Sequence, residues 1–97
     1  MQKCHDLKTD SEVFQAVISG EKTWEIRYDD RGFKVGDMVQ LRETKYSGSE
    51  MRGTSEMMGK PLQYTGGSIL ADITYILRGP VYGLADGWAI MTIKPLV

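Results

Sequence analysis

The residues best suited to chemistry lie in one short stretch, residues 20–27, which reads Gly-Glu-Lys-Thr-Trp-Glu-Ile-Arg. It places a lysine, a carboxylate and a guanidinium close together, as Lys22, Glu25 and Arg27. A lysine in a cleft can clamp a phosphate or act as a base. A glutamate can carry a proton, or accept a hydrogen bond from a base amino group. Lys22 and Glu25 are therefore the candidate catalytic residues.

The side chains from Thr23 to Tyr28 alternate between polar and large apolar, which is typical of a half-buried strand. We expect the apolar members to anchor the core: Trp24, Ile26 and Tyr28. The polar members would share the opposite face, next to Lys22: Thr23, Glu25 and Arg27. A site on a strand is held more rigidly than one on a loop, so this strand is expected to line a cleft.

Two interpretations of Glu25 and Arg27 stay open. Charged residues two apart on one strand face can form a structural ion pair, which is the commoner outcome. They can instead recognise a nucleobase, because the carboxylate accepts from an amino group while the cations donate to carbonyl or phosphate oxygens. Arg31, in the turn after the strand, would add a phosphate contact.

Composition limits the class of protein. The chain has 97 residues, 41% hydrophobic and 26% charged, which is ordinary for a globular protein and suits one domain over residues 1–97. The formal net charge of -1 argues against non-specific coating of a polyanion. The single cysteine fits a reducing compartment, and no run approaches the roughly 20 apolar residues of a membrane span. We therefore expect a cytoplasmic protein that has no membrane partner and no cofactor.

Local patterns predict one helix and several strands. Thr9 and Glu12 have the spacing of a capping box, and Gly20 suits a left-handed cap, so a helix is predicted over residues 10–19. Period-two patterns predict strands at residues 4–8, 23–28, 38–42, 68–77 and 88–94. The expected fold is α+β and mainly β: a small antiparallel barrel with one N-terminal helix.

Residues 44–67 differ from the rest of the chain. They are rich in Ser, Gly, Thr and Met and show no sustained period. Loops longer than about 12–15 residues are uncommon in compact domains unless they are functional or disordered. We interpret the segment as a flexible loop, either a tolerated insertion or an adaptable apolar surface for a protein partner, which Met51, Met57 and Met58 would supply.

Aromatic and metal-binding side chains add two smaller expectations. Trp24 and Trp88 are interpreted as core residues, whereas tyrosines near strand ends suit base stacking: Tyr28, Tyr75 and Tyr82. His5 follows Cys4, but adjacent strand residues point to opposite sides and no second histidine completes a ligand set. No metal site is expected.

The pattern Gly-x-Lys-x-x-Glu-x-Arg, met here at residues 20–27, resembles the signature of the ASCH domain family, a branch of the PUA-like superfamily. Flanking segments resemble a subgroup of very small bacterial and phage ASCH-like proteins. They are His5-Asp6-Leu7-Lys8, Asp30-Arg31, Val35-Gly36-Asp37, Leu41-Arg42-Glu43, Ile73-Thr74-Tyr75-Ile76-Leu77, Tyr82-Gly83-Leu84 and Gly87-Trp88. The likeness covers nearly the whole chain apart from residues 44–67.

This resemblance implies a PUA-like β-barrel whose signature strand lines a cleft beside the helix, and a role in binding RNA or modified nucleosides. His5 and Lys8 would line the rim of that cleft. Some members of the family are amidohydrolases that remove the acetyl group of N4-acetylcytidine with a lysine and a threonine of the signature and a glutamate elsewhere. Lys22 matches that lysine, whereas Glu25 occupies the threonine position.

The leading hypothesis is a module that binds RNA or a modified nucleotide through a cleft. Lys22 and Glu25 would be assisted there by a set of ligand-binding residues: Arg27, Arg31, His5, Lys8 and Thr23. Two alternatives stay open. One is a hydrolase acting on modified nucleosides or RNA, with Lys22 as base or electrophile. The other is a protein-interaction module that uses residues 44–67.

Overall fold

The computed structural model describes residues 2–96 and shows a mainly β fold. Five strands and two helices follow one another within these residues. In order they are β1 (Cys4–Asp10), α1 (Ser11–Ile18), β2 (Trp24–Tyr28), β3 (Met38–Thr44), α2 (Gly48–Arg52), β4 (Tyr64–Arg78) and β5 (Trp88–Pro95). Within the described residues, no helix is long and apolar enough to cross a membrane.

The five strands form one curled sheet, a half-barrel, in the order β1-β3-β4-β5-β2. Three pairings are antiparallel, but β1 runs parallel to β3. The sheet is therefore mixed, and the predicted antiparallel arrangement is wrong for the pairing of β1 with β3. The connection permits this direction, because the chain passes through α1 and β2 before it returns as β3, and parallel neighbours require a connection of about a dozen or more residues. The order leaves β1 and β2 as the two edge strands.

The core lies on the concave face of the sheet, to which alternate residues of the strands point and where α1 packs against β1 and β3. Phe14 and Val17 of the helix are buried there, together with Phe33 from the β2–β3 connection. Val39 and Leu41, alternate residues of the strand predicted at residues 38–42, are fully buried. The remaining members of the core cluster are Leu7, Ala71, Ile73, Met91 and Ile93.

A register shift in β4 corrects another expectation. Strict alternation through the predicted strand at residues 68–77 would place Tyr75 and Leu77 on one face with Ile73. The pairing with β5 skips one residue after Ile73, so that Tyr75 lies opposite Thr92. A bulge of this kind exchanges the faces of all later side chains. Tyr75 is accordingly exposed on the convex side of the sheet, and Ile76 packs on the core instead.

The start of α1 differs from the predicted capping box. Thr9 belongs to β1, and its hydroxyl donates to the Leu7 carbonyl. The cap position is held by Asp10, whose carboxylate accepts from the Gly48 N–H at 3.0 Å. The other end of the helix agrees with the prediction, because Gly20 has φ +84° and its N–H donates to the Val17 carbonyl.

The segment predicted as a loop, residues 44–67, contains a second helix and the start of β4, so the expectation of one helix is wrong. Ser47 and Glu50 form a full capping box for α2. The Lys60 N–H donates to the Glu50 carbonyl, which folds the chain back onto the helix. Gly59 permits this close approach, since a Cβ there would lie 1.8 Å from the Met51 carbonyl oxygen. The flexibility of the segment stays a prediction.

Candidate ligand groove between the edge strands

The signature strand β2 alternates as predicted, but its burial is reversed. Glu25 is 3% exposed, whereas Trp24, Ile26 and Tyr28 are 43%, 42% and 57% exposed. The register explains this result, because Glu25 pairs with Met91 and Arg27 with Ala89, two buried residues of β5. Paired residues share a face of the sheet. The charged side chains therefore point into the half-barrel, and the expectation that Trp24 and Trp88 are core residues is wrong.

Glu25 sits between two cations and binds both. The Lys22 Nζ donates to its Oε1 at 2.9 Å, and the Arg27 Nε donates to its Oε2 at 3.3 Å. Both carboxylate oxygens are engaged, and the carboxylate is almost inaccessible to solvent. The ion pair considered in the sequence analysis is thus present. Glu25 holds the two cations in place, which leaves it poorly placed to accept an amino group from a ligand.

Lys22 is fixed from three directions. Its backbone N–H donates to the Ala16 carbonyl, which ties it to the end of α1. Its ammonium binds Glu25 and also lies 4.6 Å from the centre of the Trp24 ring, within range of a cation–π interaction. The side chain is 14% exposed, so its charge is accessible from one side only.

Two adjoining hollows, which we call the seam groove, lie between β1 and β2. One has a volume of about 330 Å³ and is lined by Leu7, Ile26, Arg27, Tyr28, Asp30, Arg31, Phe33 and Trp88. The other has a volume of about 320 Å³ and is lined by Lys8, Thr9, Asp10, Val13, Lys22, Trp24, Glu25, Ile26 and Arg27. Both share Ile26 and Arg27, so together they form one groove along the open edge of the half-barrel.

Two arginines reach across the seam groove to the opposite edge strand. The Arg27 Nη2 donates to the Lys8 carbonyl at 2.7 Å, and the Arg31 Nη1 donates to the Asp6 carbonyl. Edge strands carry backbone groups that have no ladder partner, and these guanidinium groups bind two of them. Arg27 also donates to Glu25, and the Arg31 guanidinium lies 3.9 Å from the Asp30 carboxylate. At either carbonyl, a phosphate could supply a stronger, charge-assisted partner.

The turn that carries Arg31 is built by Asp29. Its carboxylate accepts from the N–H groups of Arg31, Gly32 and Phe33 and from the Arg78 guanidinium. Burial would raise the pKa of Asp29, but these hydrogen bonds outweigh it and lower that pKa below its ordinary value. The predicted tight polar turn after β2 is confirmed, with Gly32 at φ +69°.

His5 and Thr23 lie outside the lining of the seam groove. His5 is buried, with its Nε2 2.9 Å from the Asp37 Oδ2 and its ring edge-to-face with Phe33 at 4.7 Å. It shares the inner face of β1 with Leu7, which explains why it packs in the core instead of at the rim. Thr23 is exposed just before β2, and its carbonyl accepts from the Ile93 N–H. Lys8 and Arg31 line the groove, and their role in binding a ligand stays a prediction.

Asp37, at the end of the β2–β3 connection, accepts three hydrogen bonds. It accepts from His5 and from the N–H groups of Lys3 and Lys34. The hydrogen bond from His5, supported by the two backbone N–H groups, lowers the pKa of Asp37 below its ordinary value in spite of burial.

A carboxylate whose folded pKa is lowered stabilises the fold at any pH above its unfolded value and loses this contribution as the pH falls through the folded value. We therefore expect the free energy of unfolding to decrease between about pH 5 and about pH 2. Urea titrations monitored by circular dichroism would measure the slope. Asp37→Asn should flatten it, and an unchanged slope in that variant would show that other groups determine acid sensitivity.

Glu43 is a buried carboxylate that the sequence analysis missed. It accepts from the Ser11 hydroxyl at 2.6 Å, the Thr65 hydroxyl at 2.7 Å and the Gln15 amide at 3.1 Å. These hydrogen bonds lower the pKa of Glu43. It pairs in register with Thr9, which lines the seam groove. The available signal was a carboxylate at an inward position of β3, two residues after Leu41.

Comparison with known families gives one match. A model of the family described as Domain of unknown function (DUF3850) covers residues 4–93. No curated protein matches the chain significantly. Within residues 2–96, no group of three His, Cys, Asp or Glu side chains is arranged to hold a metal ion.

Proposed function

The chain belongs to the family described as Domain of unknown function (DUF3850), and we propose that its seam groove binds a nucleotide or a short single-stranded RNA element. The family description itself assigns no activity. The observation that carries this proposal is the composition of the groove walls. Positively charged side chains lie there beside exposed aromatic rings. The groove runs between the edge strands β1 and β2, whose positions are fixed by the sheet. The cations are Lys8, Lys22, Arg27 and Arg31, and the rings are Trp24, Tyr28 and Trp88.

Each half of the groove can serve one part of a nucleotide. A volume of about 320–330 Å³ lies at the lower end of the range for small-molecule pockets. The phosphate would lie between Arg27 and Arg31, the two arginines that cross the groove. A base would stack on Trp24 or Trp88, since aromatic platforms accept any base through its π-face.

The role of Glu25 in this proposal is to position the cations. A carboxylate with both oxygens engaged keeps Lys22 and Arg27 extended along the groove wall, and a pre-organised cation loses less entropy on binding. The net charge of the protein is -1, so attraction for a phosphate is confined to the groove. This favours a small ligand or a short strand over a long polymer.

The PUA-like barrel and the ASCH resemblance also belong to this proposal. They are supported by the half-barrel form of the sheet and by the position of the signature strand at the groove wall. A nucleotide or RNA ligand would fit the predicted cytoplasmic location, which stays a prediction.

The test is isothermal titration calorimetry with uridine and cytidine monophosphates. We expect Arg27→Ala to weaken binding about tenfold or more, because a charge-assisted phosphate contact is worth about 1.5–3 kcal/mol. Lys22→Ala should have a similar effect. Lys34→Ala is the matched control, since Lys34 is an exposed cation outside the groove lining. This variant should bind the nucleotides with the affinity of the wild type.

Circular dichroism must show that the variants remain folded, because Arg27 and Lys22 also bind Glu25. If wild-type protein binds the nucleotide and both groove variants retain the same affinity, the groove is the wrong site. If the wild type binds neither nucleotide nor short RNA, the proposed function fails.

A second candidate function is hydrolysis of an acylated nucleoside. The observation that favours it is the Lys22 Nζ at 2.9 Å from the Glu25 Oε1 on the wall of the groove, a pair able to pass a proton. Incubation with N4-acetylcytidine would then give cytidine and acetate, and Lys22→Ala would abolish turnover. Absence of turnover with the wild-type protein would reject this candidate and leave binding unaffected.

A third candidate is protein binding through residues 44–67. Met57 and Met58 are strongly exposed beside a hollow of about 230 Å³, and methionines suit adaptable protein surfaces. Replacement of both by serine should remove any partner that the wild type captures specifically, while nucleotide affinity stays constant. Capture of the same proteins by both forms would reject the candidate.

A further inference from the structure

The convex face of β2, β5 and β4 carries an apolar surface, on the side of the sheet opposite the core. Strand pairing arranges it in three rows across the sheet. We call this surface the outer platform, and its rows are Trp24, Thr92 and Tyr75; Ile26, Ile90 and Leu77; and Tyr28 with Trp88. Paired residues on one face lie about 4.5–5.5 Å apart between their Cβ atoms, so the rows form one continuous surface.

The outer platform is open to solvent although it is largely apolar. Tyr75 is 61% exposed, and Trp24, Ile26, Tyr28 and Trp88 are each exposed by two fifths or more. Within residues 2–96, α1 packs against β1 and β3, at the other end of the strand order. A contiguous exposed patch of this kind marks an interaction site more often than an isolated apolar residue does.

Aromatic rings make up half of the outer platform. The Tyr28 and Trp88 rings are edge-to-face, with centroids 6.0 Å apart and planes inclined at 75°. Tyr28 also covers Gly87, where a Cβ would lie 2.6 Å from its Cε1 atom. These contacts hold the rings at fixed positions. Rings fixed on a sheet face are the means by which several small β domains stack successive bases of a single strand.

The outer platform is continuous with the seam groove. Trp24, Ile26, Tyr28 and Trp88 belong to both, because β2 is an edge strand and its outward side chains also border the seam. The Lys22 ammonium lies over the Trp24 ring at 4.6 Å, so positive charge meets the aromatic surface at this border. A chain with phosphates in the groove can therefore continue over the rings without leaving the protein.

We propose that the outer platform stacks the successive bases of a single-stranded RNA whose first nucleotide occupies the seam groove. This inference rests on the proposed function and extends it from a mononucleotide to a short strand. A second protein is the less favoured occupant, because the cations are concentrated at the border with the platform, where a phosphate chain needs them. Tyr75 is the decisive residue, since it lies two strands away from β2 and outside the groove lining.

The experiment uses the intrinsic fluorescence of Trp24 and Trp88, the two tryptophans of the chain, because both lie at the border. Wild-type protein is titrated with oligouridylate of about eight nucleotides, within the range bound by small single-strand modules, and with uridine monophosphate. Tyr75→Ala is expected to weaken oligouridylate binding about tenfold, since stacking on one ring is worth about 1–3 kcal/mol. Affinity for uridine monophosphate should stay constant in this variant.

Tyr82 was also expected to suit base stacking, but it lies outside the three rows and is almost fully exposed. Tyr82→Ala is therefore the matched control. Its affinity for oligouridylate should equal that of the wild type. Arg27→Ala should weaken both ligands. If the wild type and Tyr75→Ala bind oligouridylate equally, the outer platform does not stack bases and our inference is wrong. In that case, unchanged binding of the mononucleotide would leave the proposed function intact.

Sedimentation velocity tests the alternative occupant, a second copy of the protein, because it reports the oligomeric state. If the wild-type protein is a dimer that Tyr75→Ala converts to a monomer, with no effect on oligouridylate affinity, the outer platform is a protein interface and our inference is wrong. If neither ligand binds the wild type, the proposed function and the inference that rests on it both fail.

Discussion

Replacement of Asp37 by alanine is expected to lower the free energy of unfolding by about 3–5 kcal/mol. The side chain is buried and accepts hydrogen bonds from three groups: His5 and the N–H groups of Lys3 and Lys34. Removal of one partner of a buried pair leaves the other without compensation. Here the loss would also loosen the connection from β2 to β3, which carries Phe33 into the core. Urea unfolding at neutral pH measures the change.

Two further variants control this prediction. Asp37→Asn keeps the shape and one oxygen acceptor but removes the charge, so its loss should be clearly smaller than that of the alanine variant. Asp86→Ala removes an exposed carboxylate and should change stability by no more than about 0.5 kcal/mol. A loss below about 1 kcal/mol in Asp37→Ala would contradict the structural role assigned to this pair.

Glu25→Ala is expected to cost about 3 kcal/mol of stability. The reason is electrostatic, because Lys22 and Arg27 both face the interior of the half-barrel and both donate to this carboxylate. Without it, two cations would remain close together in a poorly solvated site. Their side chains are 14% and 29% exposed, so solvent would screen the repulsion only in part. Thermal and urea unfolding report the loss.

A triple variant separates the structural from the functional consequence of this cluster. Replacement of a buried ion cluster by apolar residues of similar size is often neutral. Lys22→Met, Glu25→Met and Arg27→Met together should therefore recover most of the stability lost in Glu25→Ala and still fail to bind the nucleotide. If Glu25→Ala unfolds within about 0.5 kcal/mol of the wild type, the cluster does not stabilise the fold.

The sequence predicted the alternation in β2 correctly but placed the wrong face in the core. A period of two shows that two sets of side chains point in opposite directions, and it does not show which set is buried. Hydrophobicity favoured Trp24, Ile26 and Tyr28. The register with Met91 and Ala89 decided the outcome, and that register depends on a strand more than sixty residues away in the chain.

Two local errors have different causes. The bulge after Ile73 moves Tyr75 to the convex face, and nothing in the alternating pattern of β4 marks the extra residue. The Ser47 and Glu50 capping box of α2, in contrast, was readable in the sequence. It was missed because the helix is short and lies within a segment without periodicity. Tertiary pairing explains the first error, and an overlooked local signal explains the second.

The seam groove could be anticipated only in part. The charges of Lys22, Glu25 and Arg27 were evident from their spacing, and the expectation that they lie together is correct. The opposite wall, which β1 supplies, follows from a sheet order in which the first two strands of the chain become the two edges. Because no single strand contains that information, the contribution of Trp88 to the groove lining and the core position of His5 were out of reach.

The most direct test of the seam groove is amide chemical-shift mapping by heteronuclear NMR during titration with uridine monophosphate. We expect the largest shifts at the two edge strands, in residues 6–10 and 22–28, with further shifts at Arg31 and Trp88, which line the same groove. The backbone of residues 49–52 in α2, outside the groove lining, should serve as the internal control and remain unchanged. Shifts centred on α2 or on β3, or no shifts at saturating nucleotide, would contradict the account.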